Sequence, residues 1–156
     1  METAIYDIII LIFIPIGAIA LLCISHIRSK AWSALSLDSR KKITAASVEY
    51  SAQPDIRKKT GIVKASRFIA IIALGLSWVC FTSNTVILFL GNLIFVVAMI
   101  VEIYLNAYTT KVARKKVPHI LSDKQSKLVW KLYVISHISF IIGFSAGTLL
   151  VYYMFS

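Results

Sequence analysis

Few side chains in this 156-residue chain have the chemistry to act on anything, and the most notable of them sits in an apolar run. Glu102 stands nine residues before Lys111. At ~1.5 Å rise per residue that places it about 13 Å inside the boundary Lys111 marks. A carboxylate facing lipid there is costly, so it should face protein or water, or carry a proton. His137, six residues past Lys131, reaches roughly 9 Å in by the same rise. A Glu and a His at similar depth suit a hydrogen bond that locks two helices, or a relay for a proton or cation. Asn106, one turn beyond Glu102, shares its face and extends the polar set.

Other chemistries find less support. His26 and His137 come from different apolar runs and are the type of pair that ligates haem. Their depths are unequal and no further aromatic or glycine patterning accompanies them, so no cofactor is expected. His119 reads as a solvated loop residue. Cys23 and Cys80 fall near opposite membrane surfaces, beyond the ~4.4–6.8 Å Cα separation of a disulfide, and read as small apolar fillers. Ligand clusters with metal spacing, a nucleophile with a base at recognisable spacing, and a glycine-rich phosphate loop are all missing from the sequence. The expectation is a protein that is not an enzyme, with no metal and no cofactor.

The elements that must position these residues are membrane helices. The chain is 58% hydrophobic with a mean hydropathy of +0.80, more apolar side chain than a soluble domain of this size can hide. Phe68 to Tyr108 is too long for one element, and the polar tetrad Thr82-Ser83-Asn84-Thr85 divides it into two lengths near the ~20 residues that cross a bilayer. With the runs at either end, the expected fold is an all-α integral membrane bundle of four transmembrane helices in two hairpins. It forms a single membrane domain, 1–156, with spans of about 5–27, 66–82, 86–108 and 132–155. Ile5 to Ile27 follows no basic residue and ends without a small-x-small site, so it reads as a span and not a cleaved leader.

The net charge of +10 follows topology. All 17 Lys and Arg lie between Arg28 and Arg67 or between Lys111 and Lys131. Cationic loops of moderate length stay cytoplasmic, so loops 28–65 and 109–131 are read as inside and both termini as outside, N-out and C-out. The charge has little interleaved aromatic surface, and nucleic acid is not the expected partner.

Within this frame, spacing suggests packing faces. Pro15 and Gly17 near the middle of the first span predict a kink. Ser36 and Asp38 predict a helix start, with Pro54 ending that helix. Ser66, Ala70, Ala73 and Ser77 share one face of the second span. Gly91, Phe95, Ala98, Glu102 and Asn106 share one face of the third. Ser139, Gly143 and Gly147 form a small-residue stripe on the fourth, with His137 turned well away from it. Ser122 and Gln125 have the spacing of a capping box. Trp78 reads as an interfacial anchor, and Tyr152 and Tyr153 as an aromatic belt. Arg57, Lys58, Lys59, Arg114, Lys115 and Lys116 could rest on anionic lipid or dock a partner.

The function these features point to is non-enzymatic: helix packing or homo-oligomerisation in the membrane, with basic cytoplasmic loops docking an acidic cytosolic protein. A bacterial inner-membrane immunity protein or a phage-defence sensor fits by analogy of size and topology alone. The competing expectation is a subunit of an oligomeric ion or proton channel or transporter, using Glu102, Asn106 and His137.

Overall fold

The computed structural model of the chain describes residues 2–80 and 85–155, with the side chains of residues 2, 80 and 114 outside the description. The described residues form five α-helices and no strand: α1 Glu2–Ser33, α2 Leu37–Ala52, α3 Pro54–Cys80, α4 Thr85–Lys116 and α5 Asp123–Phe155. Four of them, α1, α3, α4 and α5, are long and apolar enough to cross a membrane. Side chains such as Leu11, Leu22, Phe68 and Val79 are left largely exposed. That apolar surface belongs against lipid tails.

Local signals set the helix ends. Ser36 caps α2 in extended conformation, and its hydroxyl accepts the Ser39 amide at 3.3 Å. Pro54 closes α2, as its sequence suggests, and also opens α3. A first helical position has no intrahelical use for the amide that proline lacks. Asp55 sits in the first turn of α3, with its carboxylate 2.8 Å from Lys59 one turn on. This start lies well before the expected span at residue 66, so the membrane helix projects beyond the apolar layer at its basic end. α4 likewise runs on to Lys116 before Pro118. Ser122 and Gln125 cap α5 reciprocally: the Gln125 amide donates to the Ser122 hydroxyl at 3.3 Å, and the Ser122 amide to Gln125 Oε1 at 3.1 Å. The segments read as loops 28–65 and 109–131 are therefore mostly helix. α1 is continuous through Pro15. Thr82, Ser83 and Asn84 of the expected turn, and the Cys80 side chain, lie outside the described residues.

The helices pack as two antiparallel pairs, α1 with α5 and α3 with α4, joined along a narrower seam between α4 and α5. Of these two close pairs, only α3–α4 joins chain neighbours. The expected second hairpin is replaced by a pairing of the first and last helices. Two features account for it. The intervening α2 lies against α3 and α4 and separates α1 from α3 in the chain. The small-residue stripe of α5 accepts α1, with Gly143 under Ile14 and Gly147 near Ile10.

The α3–α4 seam is closer still. A methyl group added to Gly91 would stand 2.3 Å from Ser77 Cβ and 2.6 Å from the Ala73 carbonyl oxygen. Only glycine lets the backbones approach this far. Ala70, Leu74, Phe95, Ala98 and Met99 complete the core beside it.

Candidate functional site

One carboxylate gathers side chains from two other helices. Glu102 on α4 is 2% exposed. Arg67 on α3 grips it with two nitrogens: Nε donates to Oε2 at 3.2 Å, and Nη2 donates to Oε1. From α5, the Tyr133 hydroxyl donates to Oε1 at 2.9 Å, and His137 Nε2 lies 3.2 Å from the same oxygen. Three of these contacts converge on Oε1 and one on Oε2, so both oxygens of Glu102 are engaged. Arg67 and Glu102 cancel in charge, which removes most of the cost of placing either in an apolar layer.

Tyr133 and His137 are one turn apart on α5 and in ring contact, centroids 4.0 Å apart and planes tilted by 42°. The other His137 nitrogen, Nδ1, lies 2.9 Å from the Tyr133 carbonyl oxygen. Both nitrogens thus face oxygens. A neutral imidazole can donate to one of them and an imidazolium to both. Ser136, next to His137, is fully buried, and its hydroxyl meets no partner among the described residues. Asn106, one turn from Glu102, is half-buried beside Tyr133.

The opposite end of the α4–α5 seam carries neutral polar contacts. Trp78 Nε1 on α3 donates to Thr148 Oγ1 at 3.2 Å, and Ser145 Oγ donates to Asn92 Oδ1 at 3.3 Å. Trp78, expected at the membrane surface, turns into the bundle and packs near Gly147 and Phe144. Tyr153 stacks on Tyr6, and Tyr152 tilts against Phe89.

The remaining residues singled out from the sequence divide by place. Ser66, Ala70 and Ser77 are buried and Ala73 half-buried. Gly91 packs on Ser77 and Ala73, so that face of α3 meets α4. Ser139, Gly143 and Gly147 are buried, and Gly17 on α1 packs against Phe140 of α5. His26 and His119 are exposed, apart from buried His137. The described residues hold no group of three or more His, Cys, Asp or Glu placed for a metal ion.

At the basic end, Arg57, Lys58 and Lys115 are exposed. Lys59 pairs with Asp55 and lies over the Tyr108 ring, 3.8 Å from its centroid. Lys116 Nζ donates to Gln53 Oε1 at 3.1 Å. The Arg114 side chain lies outside the described residues. Tyr50 of α2 donates to the Thr109 carbonyl at 3.0 Å. Burial pushes its phenol above the ordinary range, which keeps it a donor.

Arg67 and Tyr133 are site residues that the sequence reading passed over. Arg67 had been counted only as boundary charge. Yet Arg67 precedes Asn84 by 17 residues, and Glu102 follows Thr85 by the same number. The antiparallel pairing of α3 with α4 sets them opposite each other. Tyr133 stands one turn before His137 and so shares its face.

Fold and site together define a small helical bundle with four helices long and apolar enough to cross a membrane, two antiparallel pairs joined by a buried ionic cluster. Comparison with known protein families, curated proteins and solved structures gave no match.

Proposed function

We propose that this protein is a non-enzymatic membrane interaction protein, a rigid four-span anchor that holds a cationic platform for an acidic cytosolic protein. In this reading the basic end is cytoplasmic and both termini are outside, the orientation that cationic flanking segments favour. A bacterial inner membrane is the setting proposed.

One observation carries the reading: the basic end is built as folded structure. α3 and α4 extend beyond their apolar stretches as continuous helices. α2 is tied across them by the Tyr50–Thr109 bond, and Gln53, its C-terminal cap, by the bond from Lys116. Arg57, Lys58 and Lys115 are left exposed on these helices. Charges fixed on such a frame lose less side-chain and backbone entropy on binding than charges on a loop. Solvated charge alone would need no such frame.

The transport reading draws support from the Glu102–His137 contact at 3.2 Å. Against it, Glu102 is encased, with Arg67, Tyr133 and His137 already against its oxygens. In the docking reading the cluster locks the helices that carry the platform.

The test is affinity purification from native membranes in mild detergent, with mass spectrometry. The wild type should retain a stoichiometric acidic cytosolic protein, released as salt shortens the ~8 Å screening length. Arg57→Glu with Lys58→Glu should abolish retention, while Glu102→Gln, where it folds, should keep it. Retention by the charge-reversed variant, with loss on Glu102→Gln, would overturn the docking reading in favour of the cluster as the working site.

A further inference from the structure

A groove of about 810 Å³ opens at the basic end of the bundle, between α1, the end of α4 and the connection into α5. It exists because the helices around it have other partners: α1 pairs with α5, and α4 with α3. Its walls are graded along the membrane normal. Leu21 and Ile24 line it toward the apolar layer, and Arg28 follows one to two turns later on the same face of α1. Seven residues of helix separate Leu21 from Arg28, about 10 Å. Arg28 is the first cation of the chain and stands where the first apolar run ends. Asp123, opening α5, lines the rim together with His119.

The charged groups that line the groove are open to a ligand. Arg28 and Asp123 line one groove, yet neither makes an ion pair or hydrogen bond with any described residue, including each other. A free cation and a free anion set apart at a membrane border, above an apolar slot, complement a molecule with an anion, a cation and a hydrocarbon chain.

We propose that the groove binds one membrane phospholipid with a primary ammonium headgroup, of the phosphatidylethanolamine class. Its phosphate sits on Arg28, whose planar guanidinium matches phosphate oxygens with two parallel donors. Its ammonium donates to Asp123. One acyl chain lies along Leu21 and Ile24. A trimethylated headgroup has no N–H to give Asp123, and the glycerol of phosphatidylglycerol offers hydroxyls but no positive charge to match the carboxylate. The groove therefore discriminates among headgroups. This assignment is independent of the docking reading, since it uses neither Arg57, Lys58 nor Lys115.

The experiment is native mass spectrometry of the purified protein in mild detergent, titrated in turn with phosphatidylethanolamine, phosphatidylcholine, phosphatidylglycerol and diacylglycerol. One phosphatidylethanolamine should bind, preferred about fivefold over the other two phospholipids, the size of one exposed charge contact. Diacylglycerol should bind weakest. Asp123→Asn should erase the preference over phosphatidylcholine while retaining phospholipid. Arg28→Gln should lower all three phospholipids toward diacylglycerol. Both side chains are exposed, so neither change threatens the fold. As a second measurement, a diazirine-bearing phosphatidylethanolamine should label the peptide holding Leu21 and Ile24. Equal binding of all headgroups, preference for phosphatidylglycerol, indifference to Arg28→Gln, labelling confined to other segments, or a dimer that excludes lipid would each overturn the proposal.

Discussion

The two ends of the α4–α5 seam join the same helix pairs by different physics. At the basic end, one buried carboxylate collects an arginine, a tyrosine and a histidine from two other helices. At the opposite end, an indole meets a hydroxyl, a serine meets an asparagine, and aromatic rings fill the rest, Phe95 edge-on to Phe144 at 5.5 Å. The ionic end is strong only while complete, because each partner lost strands the others in a poor solvent for charge. The neutral end is assembled from contacts that fail one at a time. Specificity of helix pairing thus concentrates at Glu102, while the far end contributes packing that tolerates change.

The comparison breaks most sharply at Arg67. Its side chain is 58% exposed, whereas that of Glu102 is 2% exposed. Removing Arg67 leaves a carboxylate that cannot reach water. Removing Glu102 leaves a guanidinium that can swing outward. Arg67→Gln should therefore cost about 3–5 kcal/mol, the range for stranding one member of a buried pair. Glu102→Gln should cost less, about 2 kcal/mol. The double variant should fall well short of the sum, since it strands no charge. Unfolding in mixed detergent micelles measures all three. Equal costs for the single variants would mean that Arg67 is as trapped as its partner.

A smaller break is Tyr133→Phe. It removes one hydrogen bond to a charged acceptor and keeps the ring against His137, for about 1.5–2 kcal/mol. If the seam is as cooperative as its shared oxygen implies, this loss should shrink in an Arg67→Gln background, where the cluster is already broken. A double-mutant cycle on the same unfolding assay reads that coupling directly.

How much of this was legible beforehand differs by level. Four spans followed from apolar length, and the caps at Ser36 and Ser122 followed from side-chain chemistry three residues apart. These are local signals. The face of Glu102 was also legible, because helical periodicity relates Gly91, Phe95, Ala98 and Glu102 without reference to another helix. Which helix meets which was not. Periodicity marks the stripe Ser139, Gly143 and Gly147 as a contact surface but does not say that Ile10 and Ile14 of the first helix fill it. Arg67 was hidden for a related reason. Charge near a span end is ordinarily spent on orientation, and only the equal distances from the hairpin centre show that this one faces a carboxylate. The turn of Trp78 toward Thr148 was hidden as well, because it depends on α5 passing nearby.

At the neutral end the effects should be smaller and additive, which sharpens the comparison from the other side. Trp78→Phe removes the bond from the indole nitrogen to Thr148 and part of the ring that packs on Gly147. The expected cost is about 1 kcal/mol. Ser145→Ala removes one neutral bond to Asn92, and the half-buried asparagine keeps access to other partners, so about 0.5 kcal/mol is expected. The double variant should equal the sum of the two within about 0.5 kcal/mol, because the contacts share no atom and no charge is exposed by either loss. The same cycle at Arg67 and Tyr133 should depart from additivity by more than that, because both donate to one oxygen of Glu102. A non-additive neutral end would mean that the two ends fail by one mechanism, helix separation, and that the carboxylate is only the costliest contact along a seam that opens as a whole.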